Sequence, residues 1–164
     1  MDLRDEIVKQ ADLTIAKYPE KRSATLMLLH LILEEKGHIS NDAMEWVASK
    51  LDIKPIQVYE VVTFYPMFRQ QPVGKKHVKV CRTLSCALKG GYATCKNLQE
   101  KLGCGLGKTT EDGEYSIEFV ECIASCHTAP VVQVNDKLYH NIDPNKVEEF
   151  VAGIDKDFKT EAKV

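Results

Sequence analysis

Long apolar runs are missing from this sequence. The longest, Leu26 to Leu33, is broken by His30 and falls far short of the ~20 residues that a membrane-spanning helix needs. A surplus of positive charge is missing too, since 22 Lys and Arg stand against 24 Asp and Glu. That near balance leaves no electrostatic case for nucleic acid or an anionic membrane. The N-terminus, Met1-Asp2-Leu3-Arg4-Asp5-Glu6, lacks the basic-then-apolar layout of an export leader, so the expected location is the cytoplasm. No two cysteines stand in a Cys-x-x-Cys, which removes the usual thioredoxin-type redox motif. Nucleotide loops are absent as well. Gly103-Cys104-Gly105-Leu106-Gly107-Lys108-Thr109 comes nearest, but Leu102 stands where a Walker loop starts with glycine. Lys108 likewise stands where the dinucleotide fingerprint ends with glycine. There is no internal repeat and no low-complexity segment.

What is present is six cysteines, four of them in two spaced pairs: Cys81 with Cys86, and Cys122 with Cys126. Each pair follows a short β-like run, His77-Val78-Lys79-Val80 before the first and Tyr115 to Val120 before the second. Each run then opens into a loop of small and polar residues. Two strand ends lying side by side would bring four thiolates to one point. Such a set binds zinc or an iron–sulfur cluster, or pairs as disulfides. Spacing alone leaves open a zinc-stapled interaction module, a thiol oxidoreductase and a cluster protein. In a cytoplasmic setting, metal or redox chemistry is favoured over structural disulfides. Cys95 shares a helical stripe with Tyr92 and Leu98 and reads as a core residue. Cys104, between two glycines, reads as a loop thiol.

The first 70 residues have helical periodicity. Leu3, Ile7, Val8, Ala11 and Ile15 mark one helix, ended by Pro19. Glu20 to Lys36 is apolar almost all round between Ala24 and Leu33, as a central bundle helix would be, and Gly37 ends it. Ser40, Asn41 and Asp42 are cap candidates for a helix over 41–51, and Pro55 suits the first turn of a helix over 55–65. That last pair resembles a helix-turn-helix reader in spacing only. Ile56 to Tyr65 holds Glu60 and no Lys or Arg, so it lacks phosphate-contacting charge.

Gln70-Gln71-Pro72-Val73-Gly74 reads as a linker. After it, a strand at Val78 and Val80 precedes a helix over Tyr92 to Leu102. A strand at Ile117 and Phe119 follows, then a hairpin around Asn135-Asp136-Lys137 and a helix opened by Asp143-Pro144. The order β-α-β-β-α predicts a small mixed sheet flanked by helices. The fold class is therefore α+β, with a helical bundle over 1–71, an α/β part over 72–154 and a charged tail over 155–164.

One family fits these features. Cys81-Arg82-Thr83-Leu84-Ser85-Cys86 and the stretch from Asp112 to Pro130 resemble the 24-kDa subunit family of respiratory NADH dehydrogenase (complex I). Its relatives occur in NAD-linked hydrogenases and formate dehydrogenases. The family's second motif runs aspartate, aromatic, hydroxyl residue, then C-hydrophobic-G-x-C and a small residue before proline. Asp112, Tyr115, Ser116, Cys122, Ile123, Cys126, Ala129 and Pro130 fall in those places. Tyr18-Pro19-Glu20-Lys21-Arg22 and Val61-Val62-Thr63-Phe64-Tyr65 also resemble the family. Two residues depart from it: Tyr115 replaces a phenylalanine, and Ala124 replaces the glycine between the last two cysteines. If position 124 needs a positive φ, alanine costs roughly 1 kcal/mol there.

The resemblance implies a thioredoxin-like fold for the second part and one [2Fe-2S] cluster on Cys81, Cys86, Cys122 and Cys126. It implies an electron-transfer subunit with no turnover of its own. Its partners would be a flavoprotein that holds FMN and oxidises NADH, and further iron–sulfur subunits. The place would be the cytoplasm or the cytoplasmic face of a membrane complex, without membrane insertion. The N-terminal helices would dock the flavoprotein, with Phe64, Tyr65 and Phe68 as exposed aromatics. His127, directly after Cys126, is a candidate for tuning the cluster. Lys75, Lys76, Lys79, Arg82 and Lys89 would form either a solvated face or a positive surround.

Overall fold

The computed structural model describes residues 3–161, with side chains to Phe158. The chain divides into two compact units, Met1–Pro72 and Val73–Val164. In the first, helices α1 (Asp5–Ile15), α2 (Thr25–Lys36), α3 (Asn41–Leu51) and α4 (Pro55–Phe64) form where the apolar periodicity predicts them. A 3₁₀ turn at Lys21–Ala24 precedes α2. The caps follow the sequence. Gly37 ends α2 in the left-handed region at φ 74°. The Ser40 hydroxyl accepts from the Ala43 N–H at 3.2 Å to open α3. Leu28, Leu29 and Ile32 of α2 are fully buried against Val47 and Leu51 of α3 and Val58 and Val62 of α4. Phe68 corrects an expectation. It is buried, edge-on to His30 with ring centroids 5.0 Å apart, while Tyr65 is half-buried. Phe64 is exposed as expected, and Ile56 and Tyr59 are the other outward apolar residues of α4.

The second unit is built on β1 (Lys76–Cys81), α5 (Leu84–Leu88), α6 (Gly91–Leu102), β2 (Lys108–Thr109), β3 (Tyr115–Val120), β4 (Val132–Val134), β5 (Lys137–Tyr139) and α7 (Val147–Glu161). The strands lie in the order β2-β3-β1-β4-β5. β1 and β3 are parallel, and the other pairs are antiparallel. Cys95 and Leu98 of α6 and Val147, Val151 and Ile154 of α7 are buried with Val78, Val80, Ile117, Val132 and Val134 of the sheet. Asp143 accepts from the Asn145 N–H at 2.9 Å and starts the turn into α7. Two elements are not visible in the sequence pattern. β2 is two residues long, too short to display alternation, and α5 occupies what reads as loop. The expected tail over 155–164 also changes character. Phe158, one helical turn past the buried Ile154, continues the apolar stripe and packs on the core, so α7 runs to Glu161. Residues 162–164 lie outside the described residues.

Candidate metal centre

Parallel pairing puts the C-terminal ends of β1 and β3 side by side, with Cys81 opposite Val120. In open α/β sheets, that carboxyl edge is where ligands gather. β4 arrives on the other side of β1, and the Cys81 N–H donates to the Val131 carbonyl at 3.2 Å. Cys81 is thus held by strands on both sides. Cys86 follows on α5 and is equally buried. The start of α6 comes so close that a Cβ on Gly91 would stand 2.9 Å from the carbonyl oxygens of both Cys81 and Cys86. Only glycine permits that approach.

The second pair is more open. Cys122 lies just past β3, and both it and Cys126 are exposed. Ala124 between them adopts φ 58°, so the positive-φ requirement on this position is real. The strained residue turns its N–H toward the Cys122 sulfur, at 3.4 Å. Cys126 opens a 3₁₀ turn over Cys126–Thr128, followed by the cis Ala129–Pro130 peptide. Ile123 and Ala129 pack on Cys81, Cys86 and Val131 to form a small apolar floor.

Pairwise interactions run within and between the two thiol pairs. Burial pushes the Cys81 thiol up. The backbone N–H and hydroxyl of Thr83, the Cys86 thiol and the backbone N–H of Ile123 outweigh it and hold Cys81 below the ordinary thiol value. Burial pushes Cys86 up, partly relieved by the Val131 N–H, and the negative charge of Cys81 and Cys126 adds to the rise. Cys126 is raised by its hydrogen bond with Cys122, while the Ser85 hydroxyl, from the first loop, opposes that rise. Ile123 therefore reaches back to the first pair, and Ser85 reaches across to the second. Such N–H and hydroxyl donors stabilise thiolates and tune whatever the sulfurs bind.

The Cys122 and Cys126 sulfurs lie 3.8 Å apart. A disulfide needs about 2.05 Å, and all six cysteines are free thiols. Two thiolates bound at about 2.3 Å to one tetrahedral ion would lie about 3.8 Å apart, so the separation suits a shared metal. A cluster with two irons needs one pair at each end, and paired thiols fit that group.

Other sequence candidates lie elsewhere. Cys95 is fully buried in the sheet core, which pushes its thiol up to about 11. Cys104 is no open loop thiol: it is buried in the same core and donates to the Lys108 carbonyl at 3.1 Å. His127 is exposed. The basic residues do not form a free positive ring. Lys75 pairs with Glu114 at 2.5 Å, Lys76 with Asp155 at 2.6 Å, and Arg82 with Glu121. Lys76 also starts β1, about 16 Å of strand from Cys81 at about 3.3 Å per residue. What the sequence reading missed was the second loop's polar support. Ser125, Thr128 and His140 hydrogen-bond one another, and no linear spacing relates residue 140 to the cysteines. The doublet Gly90-Gly91 is the sequence signal of that close backbone approach.

Comparison with known proteins agrees with this geometry. The chain is 37% identical over 148 residues to a subunit of the NADH-quinone oxidoreductase of Rhizobium meliloti, covering 90% of this chain and 86% of that one. It is 41% identical over 144 residues to NADH-quinone oxidoreductase subunit 2 of Thermus thermophilus, covering 86% and 80%. In fold it is similar to part of an NAD⁺-reducing [NiFe]-hydrogenase in the air-oxidized state. That match has a TM-score of 0.67 at 17% identity and spans 82% of this chain but 23% of the hydrogenase chain. The sequence profile that matches residues 11–155 is that of the thioredoxin-like [2Fe-2S] ferredoxins. Parallel strand ends that deliver two thiol pairs to one edge, and a family match over nearly the whole chain, place this protein in the thioredoxin-like [2Fe-2S] ferredoxin family, whose cofactor is one [2Fe-2S] cluster.

Proposed function

We propose that Cys81, Cys86, Cys122 and Cys126 are the complete ligand set of that cluster. We further propose that the chain exchanges single electrons with the flavin of a partner subunit that oxidises NADH. The observation that carries the ligand set is the 3.8 Å separation of the Cys122 and Cys126 sulfurs on a loop whose Ile123 reaches the Cys81 thiol. When bound, the cluster takes up one electron at a time and so can accept one half of the pair that a flavin receives as hydride. The residues divide the remaining tasks. Buried Cys81 and Cys86 anchor one end, and exposed Cys122 and Cys126 leave the other open to a partner. The amides of Thr83, Ile123, Ala124 and Val131 supply donors to the sulfurs.

The relatives' names support a place in a multisubunit NADH-quinone oxidoreductase; a flavoprotein and further iron–sulfur subunits, there or in an NAD-linked hydrogenase, are the partners we propose. No helix among the described residues is long and apolar enough to cross a membrane. A peripheral position at the cytoplasmic face of such a complex suits that. The first unit, with Ile56, Tyr59 and Phe64 exposed, is the part assigned to docking the flavoprotein. Anaerobically purified chain should hold about two irons and two sulfides. Alone it should not oxidise NADH; with the flavoprotein added, NADH should bleach its visible absorbance. Deleting residues 1–70 should leave the colour and abolish co-purification with the flavoprotein. Stoichiometric zinc without iron would refute the ligand set, and NADH oxidation by the isolated chain would refute the division of labour.

A further inference from the structure

The exposed thiol pair is held by a polar network that the cluster chemistry itself does not require. The Thr128 Oγ1 lies 2.7 Å from His140 Nδ1 and 2.9 Å from the Ser125 Oγ. The Ser125 Oγ lies 3.3 Å from the same His140 nitrogen. The Thr128 hydroxyl also donates to the Ser125 carbonyl at 3.0 Å. Counting hydrogens assigns the tautomer. With a proton on Nδ1, His140 donates to Thr128 and, more weakly, to Ser125. Thr128 then donates to the Ser125 carbonyl, and Ser125 donates to the Thr128 oxygen. All four contacts are filled. Without that proton, two hydroxyl hydrogens would have to serve four contacts.

The location matters as much as the bonding. Ser125 lies inside the loop between Cys122 and Cys126, and Thr128 ends the 3₁₀ turn that Cys126 begins. His140 follows β5, and its neighbours grip the same segment through the backbone. The Asn141 N–H donates to the Thr128 carbonyl at 2.8 Å, and the Ile142 N–H to the Pro130 carbonyl at 3.1 Å. Cys81 and Cys86 are fixed by burial, a strand and a helix, whereas Cys122 and Cys126 have neither burial nor regular strand around them. The loop also carries the strained Ala124. The His140 ring is exposed, so core packing does not account for it.

We propose that His140 is a positioning residue for the second thiolate pair. Its Nδ1–H clamps Ser125 and Thr128, and the clamp holds Cys122 and Cys126 at the separation that one shared iron requires. The inference rests on the ligand set proposed above. The test uses full-length holoprotein with His140→Phe, Thr128→Val and His140→Asn, whose side-chain amide can offer an N–H near the place of Nδ1. The readouts are the electron paramagnetic resonance g-values of the dithionite-reduced cluster and the rate of visible absorbance loss to a chelator. His140→Phe and Thr128→Val should shift the g-values and lose the cluster about fivefold faster, the factor that one net hydrogen bond is worth. His140→Asn should stay close to wild type in both. A purely structural contribution would not move the g-values or be rescued by Asn. Wild-type g-values and rate in both His140→Phe and Thr128→Val would overturn the proposal while leaving the ligand set intact. Equal damage from Phe and Asn would overturn the donor role. A wild-type chain without iron would overturn the ligand set and this proposal together.

Discussion

Ala124→Gly should stabilise the sheet unit. Ala124 has φ 58°, and an L-residue in that region costs about 1–2 kcal/mol through contact of its Cβ with the following carbonyl oxygen. Glycine removes the clash but widens the unfolded ensemble, a loss of about 0.4–1 kcal/mol. The net gain is about 0.5–1 kcal/mol, which for a unit of this size corresponds to a rise of about 3–6 °C. The bond from the residue 124 N–H to the Cys122 sulfur is a backbone bond, so the substitution preserves it. The assay is thermal loss of the cluster's visible absorbance at one fixed scan rate, since cluster loss is irreversible and such midpoints depend on scan rate. Trp46, the sole tryptophan, lies in the first unit, so its fluorescence serves as an internal control that should not shift. Ala124→Val provides the opposite arm, because a β-branched residue at positive φ is worse than alanine. Its midpoint should fall. An unchanged midpoint in Ala124→Gly, or a Val variant as stable as wild type, would refute the strain argument.

Gly91→Ala should cost about 1–3 kcal/mol and lower the iron content, because the new Cβ meets two backbone carbonyl oxygens at 2.9 Å rather than a side chain that can swing away. The buried Cys95 predicts a pH effect of definite sign. Its thiol is raised from 9.0 to about 11, so the folded chain keeps a proton that the unfolded chain releases. The stability that this confers is complete below pH ~9 and is lost as pH rises toward 11. Urea melts of wild type should weaken by about 1–2 kcal/mol between pH 8 and 10.5 relative to Cys95→Ala, which lacks the thiol; equal losses in the two proteins would sink the assignment. Lys75→Gln and Lys76→Gln should leave the cluster's midpoint potential unmoved at physiological salt. Lys75 precedes β1 and pairs with Glu114, and Lys76 starts β1 and pairs with Glu114 and Asp155, at the strand end away from Cys81 and beyond a Debye length of about 8 Å. A clear potential shift in either variant would restore the positive surround that the sequence alone suggested.

Local chemistry that acts within a few residues was readable from the chain. Ser40 as a helix cap, Gly37 as a helix stop, Asp143-Pro144 as a helix start and Val78 and Val80 as strand residues all depend on neighbours within one turn or one pleat. The four cysteines were legible for the same reason: each pair is a short spacing after a recognisable strand. The cost of Ala124 was foreseeable as a condition, and the backbone torsion met it. Where local signals are short or overridden, the reading failed. β2 spans two residues, which cannot display a period, and α5 is a single turn and a half inside a cysteine loop. Phe68 and Cys104 are buried because distant segments close over them, and α7 outlasts the expected tail because Phe158 finds the sheet core. Most of what distinguishes the candidate metal centre is of this second kind. The register that sets Cys81 beside Val120, the approach of Gly91 to both first-pair carbonyls and the reach of His140 to Ser125 and Thr128 join residues far apart in the chain. A one-dimensional pattern records which residues can hold a metal; only the closing of the sheet decides which amides, hydroxyls and rings surround them.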